Sequence, residues 1–112
     1  MYVARNHSIK VHISLYTKEG KAEVEALLDS KATENLIHPW LVKEAKVEKK
    51  QLAKGRKLFN IDGSQNWLGK ITETALLTIK SNQKAANHWF LIADIGKDNI
   101  ILEYSFFKAI NL

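Results

Sequence analysis

Apolar and polar residues alternate twice in the first quarter of the chain. Ile9, Val11, Ile13 and Leu15 take one side of a run whose other side is Lys10, His12 and Ser14. Ala22, Val24, Ala26 and Leu28 repeat the pattern, with Glu23 and Glu25 opposite them. Period-two alternation of this kind marks half-buried strands. The link between the runs, Thr17-Lys18-Glu19-Gly20-Lys21, is short and polar, and its glycine admits a positive φ. The expectation is a β-hairpin whose second strand ends at Asp29.

Beyond that point the pattern is less regular. Glu34 to Val42 is a short apolar stretch interrupted by Pro39, the sole proline, which disfavours helix at His38 and permits a helical turn after it. From Trp40 to Ala53 the apolar positions Leu41, Val42, Ala45 and Leu52 follow no clean period, so a short helix and an irregular basic loop both fit. Lys57 to Ile61 reads as a strand that ends at Asp62-Gly63, a strong hairpin signal between β-prone segments. Trp67 to Thr72 returns, and Ile71, Ala75, Leu77 and Ile79 continue the strand. Ser81 to Lys84 is a polar turn, His88 to Ala93 a buried strand, and Asp94 to Asn99 a second turn leading into Ile100-Ile101-Leu102. Aromatic and aliphatic residues spaced by three and four between Glu103 and Ile110 suit a short closing helix.

Composition narrows the class. A chain of 112 residues without internal repeat or linker is expected to form a single domain, 1–112. Its 46% hydrophobic and 26% charged content is that of a soluble globular protein. With no cysteine there is no disulfide, thiol nucleophile or zinc–thiolate site. No run reaches about 18 apolar residues and no apolar signal segment opens the chain, so an intracellular, cytoplasmic setting without membrane is expected. The net charge of +5 is concentrated: Lys43, Lys46, Lys49, Lys50, Lys54, Arg56 and Lys57 face only Glu44 and Glu48, while the rest of the chain holds ten residues of each sign. Such a stretch can track phosphates. With no aromatic between Trp40 and Phe59 to stack a base, a solvated connection is expected and nucleic acid is not the expected partner.

The candidate chemistry lies in Ala26-Leu27-Leu28-Asp29-Ser30-Lys31-Ala32-Thr33. An aspartate at the end of an apolar strand is costly unless its charge is used or satisfied. Ser30 and Thr33 can hydrogen-bond locally, so a turn in which Asp29 caps backbone amides is one explanation. His7 and His12 lack partners at metal-ligand spacing and read as surface residues. His38 near Asp29 suggests an acid–base pair, but nothing supplies a nucleophile.

Apart from Lys31, the octet resembles the Leu-Leu-Asp-Ser-Gly-Ala-Thr signature of retropepsins, the aspartic proteases of retroviruses and LTR retrotransposons. The Asp62-Gly63 hairpin followed by Gly69 and Ile71-Thr72 is similar to the flap of gypsy-type members, and Ile100-Ile101-Leu102 before an aromatic helix is similar to their closing segment. The three motifs stand in family order. The resemblance implies a mainly β, retropepsin-like acid protease fold: a closed small β-barrel with a flap hairpin and one short C-terminal helix. It implies an aspartic endopeptidase that processes a polyprotein without metal or organic cofactor.

Such chemistry needs two carboxylates sharing one proton, because like charges about 3 Å apart cannot both ionise. One motif per chain is present. Asp62, 33 residues on, follows no comparable apolar strand, and Asp94 and Asp98 lie in a polar turn. The second aspartate is therefore expected from a twin chain in a C2 dimer. By resemblance, Asp29, Ser30 and Thr33 form the catalytic loop, with Ser30 helping to lock the two loops together. Lys31, Ala32 and the flap residues Ile61, Asp62, Gly63 and Ser64 would meet an extended peptide substrate.

Two positions depart from the family, both at glycines. Lys31 places a cation where backbone passes close to substrate and partner, and its charge favours an ionised Asp29. Glu103 replaces the glycine after the closing aliphatics, so rearrangement or a buried carboxylate is expected, costing on the order of several kcal/mol if unpaired. A Lys31–Glu103 salt bridge would compensate in the fold without restoring the site. Weak or absent proteolysis is the expectation, and the same fold kept for dimerisation or peptide binding is the alternative.

Overall fold

A computed structural model describes residues 8–17, 19–30, 32–59, 65–81 and 84–110, and for 54–59 and 65–70 the strand path alone. The first hairpin forms as the alternation predicts. β1 (Ser8–Thr17) and β2 (Gly20–Asp29) pair antiparallel from Ser8–Asp29 to Thr17–Gly20. Gly20 takes φ +132° at the turn, a conformation L side chains rarely adopt. Thr17 Oγ1 accepts from the Glu19 amide at 3.1 Å and donates to the Gly20 carbonyl at 3.2 Å, closing the turn.

The inward row is buried at Ile13, Leu15, Ala26 and Leu28 but runs out at its ends, where Ile9 and Ala22 are exposed. The ten-residue strands overrun the barrel they build. The last four residues of β2 are all buried, Leu27 and Asp29 included, because this part of the strand has a core on each face. Ala26 and Leu28 join the barrel interior with Phe90, Ile100 and Leu102. Leu27 joins a second apolar cluster with Ala32, Leu36, Leu91 and Ile101.

After Asp29 the chain leaves the sheet and re-enters as the two-residue β3 (Leu36–Ile37). Next comes α1 (Pro39–Ala45), so the helix, one of the two forms open after Trp40, is adopted there. It ends at Lys46, whose αL conformation (φ 52°) places its amide on the Val42 carbonyl. The remaining elements are β4 (Glu48–Phe59), β5 (Gln65–Ser81), β6 (Lys84–Ile92), β7 (Ile100–Glu103) and α2 (Tyr104–Ile110).

Strand order runs β1-β2-β7-β3-β6-β5, and pairing of β5 back to β1 through Leu15–Ile79 closes a six-stranded barrel. β2–β7 and β3–β6 are parallel; the other neighbours are antiparallel. β4 stands outside the ring, paired to β5 with register shifts after Gln51 and Lys57. The mainly β barrel expected from the sequence is present, with a second short helix, α1, beside the C-terminal one.

Two sequence expectations need correction. The strand placed at Lys57–Ile61 begins at Glu48, so most of the basic stretch is strand rather than a connection, though Lys43, Lys46, Lys49 and Lys50 are solvent-exposed as expected. An edge strand paired on one side carries polar residues freely and shows no period. The strand placed at His88–Ala93 starts at Lys84, and His88 and Trp89 are exposed while Phe90 and Leu91 are buried. The β4–β5 hairpin forms as predicted up to Phe59–Gln65; its tip, including Ile61, Asp62, Gly63 and Ser64, lies outside the described residues, as do Lys31 and His7.

Candidate active site

Asp29 ends β2, 1% exposed, between two apolar clusters. Its carbonyl accepts from the Ala32 amide at 3.1 Å, which turns the chain out of the sheet. Ser30 and Thr33 are exposed on that turn, while Ala32 is buried against Leu27 and Leu36. The short loop thus holds the carboxylate-bearing residue inside and shows hydroxyl groups outside.

What fixes the loop is a residue that the sequence pattern did not single out. Asn35 is 5% exposed, and its Oδ1 accepts from the Glu103 amide at 2.7 Å. Its own carbonyl accepts from the Leu91 amide at 3.0 Å. One buried amide therefore ties the loop to β7 and, through its backbone, to β6. The available signal was a polar side chain directly before the apolar pair Leu36-Ile37, which demands a hydrogen-bond partner once buried.

Glu103 sits beside Asp29 as its parallel partner across β2 and β7. Its carboxylate caps α2: Oε1 accepts from Ser105 N at 2.9 Å and Oε2 from Phe106 N at 3.2 Å. The expected burial cost does not arise, because Glu103 is only half-buried and both oxygens meet amides that the first helical turn leaves open. The postulated Lys31 partner is outside the described residues.

His38 serves elsewhere. Its Nδ1 accepts from the Trp40 amide at 3.0 Å, capping α1, and Nε2 lies 3.3 Å from Asp94 Oδ1. Both nitrogens are engaged away from Asp29, in line with the doubt about an acid–base pair. Asp94 also accepts from the Gly96 amide at 3.0 Å. That bond, followed by the nearby His38, holds the Asp94 carboxyl below its ordinary value of 3.8.

A cleft of about 470 Å³ adjoins the loop, lined by Glu34 on one side and by β4, Trp89 and Leu91 on the other. Leu91 and Leu52 belong to the apolar cluster that also holds Leu27 and Ala32, so the cleft shares its floor with the Asp29 loop. Lys50 Nζ stands 5.9 Å from the centre of the Trp89 ring, within cation–π range. Among the described residues no group of three or more His, Asp or Glu side chains is placed to hold a metal ion, and no helix is long and apolar enough to cross a membrane.

Comparison with known proteins adds two findings. The fold matches that of EIAV protease, solved in complex with the inhibitor HBY-793, with a TM-score of 0.65 at 14% identity over 97% of this chain and 93% of that one. A search of curated proteins returns no match. The family model of the PEG10/RTL1 protease domain matches residues 25–111, from the approach to Asp29 through α2. Because that model spans most of the chain, the chain belongs to the PEG10/RTL1 protease-domain family, a retropepsin-like group of gypsy-derived origin.

Proposed function

We propose that this chain is one half of a homodimeric aspartic endopeptidase, an intracellular domain acting on an extended peptide or polyprotein segment. The observation that carries the proposal is Asp29 itself: buried at the end of β2, on a tight turn whose following loop reaches a cleft at Glu34. Apolar side chains are left open at the same end of the barrel. Ile9, beside the Ser8–Asp29 pair, is 60% exposed, and Tyr104, after Glu103, is 48% exposed. A second copy covering that end would bury both and bring a second Asp29 to the first.

In the dimer one ionised Asp29 carboxylate takes a proton from water, and the oxygen attacks the scissile carbonyl carbon. The protonated partner carboxyl gives its proton to the carbonyl oxygen. Collapse of the tetrahedral intermediate breaks the C–N bond, and the amine leaves with a proton from the dyad. Ser30 and Thr33 stabilise the paired loops, Lys31 and Ala32 flank the substrate, and Ile61, Asp62, Gly63 and Ser64 cover it. A hairpin tip of this composition suits a lid.

The alternative, a dimerisation or peptide-binding module without turnover, rests on Lys31 alone, since Glu103 is absorbed by its role as a helix cap. Peptide cleavage at pH about 4 to 6 separates the two, comparing the parent with Asp29→Ala and Lys31→Gly. Activity in the parent that disappears with Asp29→Ala supports the endopeptidase, whereas activity in Lys31→Gly alone marks an inactivated protease fold and favours the module. No cleavage by any dimeric form overturns it in favour of the module.

A further inference from the structure

The sheet formed by β4, β5 and β6 has a hollow on each face. One is the cleft beside the Asp29 loop; the other, about 490 Å³, lies behind it. Strand alternation separates them. Glu73 and Ile92 line the rear hollow, whereas their neighbours Thr74 and Leu91 line the front cleft, and Lys49 and Lys50 divide in the same way. The opposite wall of the rear hollow is α1. Pro39, Val42 and Lys43 recur at i, i+3 and i+4 and present one helix face to it, and the C-cap residue Lys46 lines it beyond the helix end.

The chemistry of this hollow is mixed in an informative way. Its floor is aliphatic, from Val42, Val47 and Ile92, and its rim carries three ammonium groups, Lys43, Lys46 and Lys49, against the single carboxylate of Glu73. Lys49 reaches Glu73 at 3.7 Å and Lys46 reaches Glu19 at 2.9 Å, all four side chains being more than 40% exposed. Exposed pairs of this kind contribute little and yield readily to a better-placed anion. Among the described residues Lys43 takes part in no ion pair.

We propose that the rear hollow docks an acidic peptide segment of a partner protein, inserting one aliphatic side chain between α1 and the sheet while flanking carboxylates meet Lys43, Lys46 and Lys49. The volume accommodates a leucine or isoleucine side chain with its neighbouring backbone. A nucleic acid is the poorer fit, because no aromatic side chain lines the hollow to stack a base and an aliphatic floor offers a phosphodiester chain nothing. The basic stretch thereby acquires a structural purpose: its first part folds around a recess. Docking on this face leaves the Asp29 cleft open, so it operates equally on an active or an inactive protease domain.

The test uses the isotope-labelled full chain, titrated with the synthetic peptide Ac-Asp-Glu-Leu-Ile-Glu-Asp-amide and followed by amide chemical shifts. Saturable shifts at Val42, Lys43, Val47, Lys49 and Ile92, without corresponding change at Glu34, Gln51 and Leu91, are expected. Affinity should fall about tenfold or more when Lys43→Glu and Lys49→Glu are combined, with circular dichroism unchanged, and again when the peptide's Leu-Ile is replaced by Ser-Ser. Lys43→Gln with Lys49→Gln gives the same direction should the charge reversal disturb folding. The proposal is overturned by an absence of saturable shifts, by shifts centred on the Asp29 cleft, by insensitivity to the lysine changes, or by equal or tighter binding of a single-stranded oligonucleotide.

Discussion

Asp29 and Glu103 are register partners at the ends of two parallel strands, β2 and β7. They diverge in what they do next. Asp29 stays buried at a turn, while Glu103 turns its carboxylate onto the amides of Ser105 and Phe106. Glu103 thus serves as a helix cap. Glu103→Ala is expected to cost about 0.5–2 kcal/mol in urea unfolding. Glu103→Gly should also destabilise the chain. A gain in stability from that substitution would contradict the capping role.

Asn35 is the second support of the site. Asn35→Ala removes the acceptor for the Glu103 amide and is expected to cost about 1–3 kcal/mol, the penalty of a buried donor left unpaired. Amide exchange at Glu103 should accelerate in the variant more than exchange in the β1–β2 hairpin. Equal acceleration in both would mean that the bond does not anchor the loop locally.

The Asp94 carboxyl, held low by the Gly96 amide and then by His38, makes a pH-dependent contribution of known sign. Its folded value lies below the unfolded one, so the stabilisation is present above about pH 3.8 and is lost as pH falls through the lower folded value. With the side chain 54% exposed, the effect is small, under about 1 kcal/mol. Asp94→Asn should lower the urea midpoint at pH 6, and the gap to the parent should close as the pH falls below 3.8 and through the lower folded value. A gap that persists undiminished at low pH would assign the loss to packing instead.

Gly20 isolates a backbone effect. A Cβ there would meet nothing within 4 Å, yet φ is +132°. Gly20→Ala is therefore expected to cost on the order of 1–3 kcal/mol from conformation alone, measured by chemical unfolding. Neutrality would mean that the turn relaxes to another form.

The parts of the fold legible in the sequence are those in which local pattern and tertiary environment agree. The alternation of Ile13 and Leu15 against His12 and Ser14 is a strand with one face inward, and so it folds. The Ile100-Ile101-Leu102 run is legible for a different reason, being buried on both faces between β2 and β3. The first part of β4 was not legible, because Glu48, Lys49, Lys50 and Gln51 are all exposed on an edge and carry no period. The loop at Asp29 was readable from its residue types, but its supports were not. Asn35 and Glu103 meet across 68 residues of chain, and no local pattern encodes such a pairing. The cap at Glu103 depends on where α2 begins, and the role of His38 depends on the turn at Asp94.

The most direct test of the proposed dimer asks whether Asp29 meets its twin. The chain has no cysteine, so Asp29→Cys introduces a single thiol at the site. If the two copies pair there, a short bis-alkylating thiol reagent should join them into a covalent dimer, since carboxylates about 3 Å apart hold their β-carbons farther apart than the roughly 4 Å that a direct disulfide needs. The reaction should be fast and abolished in urea, while Lys84→Cys, placed on exposed β6, crosslinks slowly under the same conditions. Asp29→Cys that remains folded yet crosslinks no faster than Lys84→Cys would contradict a shared two-aspartate centre.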